Sequence, residues 1–161
     1  MAEQSDAIMI SHPPQAVLRL INPAMKLLLR TPLMGGARNQ MMVVRFTGRK
    51  SGRHYSIPLS AHLIDNILYA MTAAPWKNNF RDGATAQVLH NGKTTTMRGE
   101  LIADRALVAD LYTRCAESYG VKGAERAMGL KFADGRLPSR DDFAEGVNQL
   151  HLAAIRFTAA N

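Results

Sequence analysis

One cysteine, Cys115, stands alone in the chain, which excludes a disulfide framework and a cysteine-based zinc cluster. No apolar run approaches the roughly 18 residues that a membrane span requires. The first thirty residues lack the order of a signal peptide: Glu3 and Asp6 precede the basic residues, and no small-residue cleavage site follows an apolar stretch. A cytoplasmic address is therefore expected. Aromatics are scarce in the basic N-terminal part, where Phe46 is the only one before residue 55. That scarcity argues against nucleic acid as the partner, because single-strand binding interleaves aromatic platforms with cations. The histidines (His12, His54, His62, His90 and His151) are too scattered to suggest a metal site; His62 and His151 are expected in strands, with structural roles.

What is present is an asymmetry of charge. Residues 1–54 carry eight Lys or Arg against two acids, and the remainder twelve against eleven. A basic half points to an anionic partner, either a phosphorylated ligand or a membrane surface. At 161 residues the chain suits one domain, 1–161. Within it residues 1–13 read as a frayed tail. Residues 14–30 read as a helix that Pro23 kinks or divides into two short ones, either a cap on the core, a dimer contact, or a basic amphipathic surface lying on a membrane.

A β-rich middle follows a Pro/Gly loop over 31–40. Strands are expected at Met41–Phe46, His54–Ile64, Ile67–Thr72, Ala84–His90 and Lys93–Ala103, with hairpin turns at Asp65-Asn66 and Asn91-Gly92. Pro75 opens a short helix over Trp76–Asp82 that Gly83 closes. Asp104 is a candidate N-cap for a helix to about Tyr119, which Gly120 and Gly123 interrupt, with a further helical piece over 123–128. Ser139 with Asp141 and Asp142 marks another helix start, and Leu150–Phe157 returns to strand character. Six strands joined mainly by hairpins predict an antiparallel barrel rather than a doubly wound sheet. The segment 121–148, with Met128-Gly129-Leu130 and Asp134-Gly135-Arg136, reads as a loop or lid over a pocket.

The turn Thr47-Gly48-Arg49-Lys50-Ser51-Gly52 carries the chemistry. Two glycines bracket it, so positive φ is open at either end, and such a turn can aim successive backbone N–H groups into one concavity. Arg49 offers a planar fork for phosphate, Lys50 a point charge and Ser51 a hydroxyl, while Arg53 extends the positive field. It is not a Walker loop, since the required spacing and following helix are missing. A surface hairpin whose charges only keep it solvated fits the same residues. Pro58 cannot donate to a ladder, so its strand is an edge or is bulged there, with or without a ligand beside it.

The run Phe46-Thr47-Gly48-Arg49-Lys50-Ser51-Gly52, followed by Ile57-Pro58-Leu59, resembles the signature of the deazaflavin-dependent nitroreductase family, within the flavin/deazaflavin oxidoreductases. Trp76-Lys77-Asn78-Asn79-Phe80, then Val88 and Asn91-Gly92, is similar to that family's Trp-x-x-Asn-Leu helix and following strand. The resemblance covers residues 40–105 and thins beyond them. It implies an α+β, mainly β fold: a split β-barrel of about six mostly antiparallel strands with flanking helices, related to FMN-binding barrels of the pyridoxamine-phosphate-oxidase type. It implies coenzyme F-420 as cofactor, with FMN as the alternative, and hydride transfer to a small-molecule electron acceptor such as a quinone, an enone or a nitro compound.

Under that resemblance Arg49, Lys50, Ser51 and Gly52 would hold the cofactor's phosphate and acidic tail. Ser56, Ile57, Pro58 and Leu59 would run beside the deazaflavin ring, and Thr72, Ala73, Trp76 and Asn79 would close the other wall. Tyr119 is the one candidate proton donor, with packing of its ring as the competing role. No metal is implied. A homodimer follows only by analogy with flavin-binding barrels. A protein that binds the cofactor or an apolar ligand without turnover is the reading from another class.

Overall fold

In a computed structural model of the chain, residues 7–10 and 40–160 are described. The loop expected over 31–40 falls almost wholly outside them, and the helix at 14–30 and its suggested membrane contact fall wholly outside. Among the described residues one curled antiparallel sheet holds seven strands, β2 (Met41–Thr47), β3 (His54–Ser60), β4 (His62–Ile64), β5 (Ile67–Thr72), β6 (Ala84–His90), β7 (Lys93–Ile102) and β9 (Ala153–Ala159), in the order β3-β2-β6-β7-β9-β5-β4. A small second sheet pairs β1 (Ile8–Ile10) with β8 (Leu130–Phe132). The helices are a 3-10 helix (Pro75–Phe80), α1 (Arg105–Met128) and α2 (Arg140–Leu150), with a 3-10 turn at Ala133–Gly135.

The hairpin turns carry the sheet. Asp65 and Asn66 (φ 53° and 66°) and Asn91 and Gly92 (φ 59° and 79°) take the left-handed pairs that match the strand twist. The segment expected as one strand, His54–Ile64, is two. β3 pairs with β2 at one edge and β4 with β5 at the other, so Ala61, whose N–H donates to the Gln40 carbonyl at 2.9 Å, carries the chain from edge to edge. Consecutive residues can lie on both outer edges only if the sheet curls until those edges meet. This strand order is that of a split β-barrel.

Alternation then fills the interior. Met42, Val44 and Phe46 of β2, Leu68 and Ala70 of β5, Ala86 and Val88 of β6, and Ile155 and Phe157 of β9 pack around Phe80. Gly99 makes room for that ring, since a Cβ there would meet Phe80 Cδ1 at 2.7 Å and Phe157 Cε1 at 2.9 Å. β9, last in the chain, fills the place between β7 and β5, beginning at Ala153 instead of Leu150.

Outside the barrel lies a second core. Asp104 caps α1 by accepting from Ala106 and Leu107 N–H, and Gly120 (φ 77°) kinks that helix where an interruption was expected. Ser139 and Asp142 form a capping box at α2. These helices enclose Tyr112, Phe132 and Phe143 with Ile8. Three expectations are corrected here. The frayed tail contains a strand, because Ile8 is buried against α2 and β8. Much of 121–148 is packed structure and not a lid: Ala124, Met128, Leu130, Phe132 and Phe143 are core residues. His151 lies in no strand; it ends α2 in the left-handed conformation (φ 61°), while His62 is buried in β4.

Candidate anion-binding site

The basic turn joins β2 to β3 and is closed by its own backbone: Gly48 N–H donates to Arg53 O at 2.7 Å and Gly52 N–H to Gly48 O at 3.1 Å. Only Gly52 uses the left-handed region (φ 72°). Gly48 is demanded by space instead, because a Cβ there would meet Ser51 Oγ at 2.8 Å and Tyr55 Cε2 at 2.9 Å. Ser51 Oγ accepts from Arg53 N–H at 3.1 Å, so its own proton remains available to donate. The N–H groups of Lys50 and Ser51 have no hydrogen bond among the described residues.

The 3-10 helix faces this turn. Thr72 Oγ1 accepts from Ala74 N–H at 3.0 Å and shapes the entry; Pro75 occupies the first turn, where no N–H is needed. Trp76 anchors the helix on the barrel mouth, stacked on Phe46 (5.8 Å between centroids) and edge-on to Phe80 (6.2 Å). Asn79 ties helix to turn, its Oδ1 accepting from Arg49 N–H at 2.9 Å and its Nδ2 donating to Trp76 O at 2.8 Å. The Arg49 guanidinium donates to Asn78 O at 3.2 Å and meets Asp82 Oδ2 at 3.3 Å.

Between turn and helix is a hollow of ≈ 590 Å³, lined by Arg49, Lys50, Ser51, Tyr55, Asn78, Asn79 and Arg81, with Gly48 and Pro75. Three cations and no carboxylate line it among the described residues. Asp82 opposes Arg49 from outside, but it is 80% exposed, and such a pair contributes little, about 0–1 kcal/mol. Replacing that carboxylate by a phosphate is therefore an inexpensive exchange.

Beside the hollow runs β3, paired only with β2 among the described residues. Pro58 stands opposite Val43 and has no proton to give, so the ladder bonds to β2 belong to Tyr55, Ile57 and Leu59. Ser56, Pro58 and Ser60 aim their backbone polar groups off the sheet. Ser56 Oγ is buried without a partner, an atom awaiting a donor or acceptor. The side chains of Ile57 and Leu59 pack against the barrel interior and their backbone polar groups serve the ladder to β2, so polar contacts at the edge fall to Ser56, Pro58 and Ser60.

Of the expected site residues, Arg49, Lys50, Ser51 and Asn79 line one hollow, with Gly52 shaping the turn and Trp76 supporting the helix. Thr72 and Ala73 do not line it; Ala73 borders a second hollow behind the 3-10 helix. Tyr119 lies elsewhere, its hydroxyl 2.8 Å from His62 Nδ1. Burial pushes that phenol up to about 12 and holds the His62 imidazole down at about 4. Burial likewise pushes the Cys115 thiol up to about 11, so no thiolate forms near neutrality. The sequence reading missed Tyr55, Asn78 and Arg81. For Tyr55 a signal existed: it shares the strand period with Ile57 and lies opposite Phe46, on which it stacks at 5.3 Å. No group of residues able to hold a metal is present among the described residues, and no helix there is long and apolar enough to cross a membrane.

No family model matches the chain, and no curated protein does. Among solved structures it is similar to a protein described as a domain-swapped dimer (12% identity, 91% of this chain and 100% of that one covered, TM-score 0.49). It is also similar to a conserved hypothetical protein from Mycobacterium tuberculosis (8%, 99% and 87%, 0.46). A third likeness is to a putative pyridoxamine 5'-phosphate oxidase from Listeria innocua (10%, 86% and 93%, 0.45). At such values the fold is read from the strand order above and not from these likenesses.

Proposed function

We propose that this chain is an oxidoreductase that holds coenzyme F-420 by its phosphate and acidic tail and serves hydride transfer to a small-molecule acceptor: a quinone, an enone or a nitro compound. The observation that carries the reading is the cationic hollow between turn and 3-10 helix, which reaches β3 at Tyr55; among the described residues β3 pairs with β2 alone. Arg49 and Lys50 would grip the phosphate, helped by Ser51 Oγ–H and the two N–H groups of the turn. Arg81 and Arg53 extend the positive field for further carboxylates, which favours the polyanionic tail of F-420 over the single phosphate of FMN. The orphaned Ser56 Oγ and the outward backbone groups of Ser56 and Ser60 fit the polar rim of a flat ring. A hydride at C5 is the chemistry the reduced deazaflavin supplies when bound. The protein's part is to bind, to orient, and to keep water from the reacting face. Action as a homodimer belongs to the same reading.

The test is titration of the purified protein with F-420 and with FMN, then oxidation of the bound reduced form by menadione or cyclohexenone. Tight F-420 binding without oxidation would leave a binding protein, and absence of F-420 binding would overturn the proposal. Changing Arg49 and Lys50 together to Ala should weaken F-420 binding by on the order of 2–4 kcal/mol, the loss expected for two charge-assisted contacts. Affinity that ignores both the substitution and added salt would reduce the turn to a solvated hairpin.

A further inference from the structure

Behind the 3-10 helix, away from the basic turn, lies a second hollow of ≈ 490 Å³, within the size range of small-molecule sites. Its walls are of two kinds. Leu101 and Ile102 at the end of β7, Val108 of α1, Val147 of α2 and Leu152 make an apolar floor. Lys77 and Arg81 make a cationic side. Pro75, Asn78 and Arg81 border both hollows, so the 3-10 helix is the partition between them.

The cations on this side are poorly neutralised. Lys77 Nζ donates to the Ala73 carbonyl at 3.2 Å, and the Arg81 guanidinium to Asn78 Oδ1 at 3.0 Å; no carboxylate lines the hollow among the described residues. Two acids adjoin the lining in sequence: Asp82, after Arg81, pairs with Arg49, and Asp104, after Ala103, is turned to the N–H groups of Ala106 and Leu107. Lys77 is half-buried, and partial desolvation together with the neighbouring Arg81 lowers its pKa. An anion placed there favours the ammonium form and counters the repulsion from Arg81. Across the hollow, His151 marks the C-terminal end of α2, whose carbonyls repel an anion.

We infer that this hollow is a separate binding site for an amphipathic anion: an apolar body against Leu101, Val108, Val147 and Leu152, and one carboxylate-type head group at Lys77 and Arg81. Arg81 is shared with the first hollow, but Lys77 and the apolar floor are not, so the inference does not rest on the cofactor reading.

Trp76, the only tryptophan in the chain, sits next to Lys77 and reports occupancy by fluorescence. Octanoate and octanol are the probes. Octanoate should saturate with roughly tenfold or greater preference over octanol, as one charge-assisted contact in a half-buried place predicts. Lys77→Met should remove that preference and Lys77→Arg should keep it, both with unchanged circular dichroism. The Arg49→Ala, Lys50→Ala variant should bind octanoate within about twofold of the parent while losing F-420. Equal binding of octanol, an inert Lys77→Met, no saturation by about 10 mM, or loss of octanoate with the turn variant would each overturn the inference.

Discussion

The barrel interior and the helical flank are both closed by aromatic rings, yet they are assembled from different stretches of chain. In the barrel Tyr55, Phe46 and Phe80 follow one another at 5.3 and 5.1 Å, with Trp76 leaning on the series and Phe157 joining it from β9. Apart from Phe157 these rings come from 46–80, a run of neighbouring hairpins. In the flank Phe143 meets Tyr112 at 5.7 Å and Phe132 at 6.2 Å, and Ile8 comes from the far end of the chain. The barrel's rings support the cationic hollow directly, since Trp76 and Phe80 belong to its wall helix. The flank holds the last strand in place, through the buried Tyr112 Oη that donates to Ala153 O at 2.9 Å. Under the proposed function, ligand affinity and overall stability should therefore be separable, although both depend on buried rings.

The largest expected effects test that separation. Phe80→Ala and Phe143→Ala each remove a fully buried ring and should each cost about 3–5 kcal/mol in denaturant unfolding. In ligand titrations under native conditions only Phe80→Ala should also weaken F-420 binding, because it undermines the 3-10 helix. Equal loss in both would show that the two cores act as one. A smaller effect lies between them at His62, whose ring in β4 meets Tyr119 of α1 at 5.7 Å. Its imidazole is held near 4 when folded, against about 6.5 when unfolded. Above pH ~6.5 both states are neutral; on acidification the unfolded chain takes the proton first, so stability falls through the window from 6.5 to 4, by about 3 kcal/mol in all. His62→Gln should flatten that part of the pH–stability curve, and an unchanged slope would locate the acid sensitivity elsewhere. The smallest effect belongs to the flank alone: Ser139→Ala breaks the capping box of α2 and should cost about 1 kcal/mol, with ligand binding unaltered.

Much of this was legible in the chain because it is local. Asp65-Asn66 and Asn91-Gly92 set their hairpins through backbone conformations that few residue types accept, and Asp104 and Ser139 cap helices within their own first turns. The positive charge of the basic turn is likewise written in its composition. Other features arise from contacts between residues far apart in sequence, which no local pattern records. Nothing within 1–13 specified that Ile8–Ile10 would pair with Leu130–Phe132, since a three-residue strand gains its stability from the partner it meets. The break of the expected 54–64 strand at Ala61 follows from closing a curled sheet, a requirement of the whole barrel. Arg81 joins the cationic hollow only because Asn79 and Trp76 fix the 3-10 helix against the turn. By itself the sequence determined most strands of the main sheet, its hairpin turns and the positive charge of the basic turn. Tertiary structure alone decided which side chains share a hollow, because burial and pairing are completed only when distant segments meet.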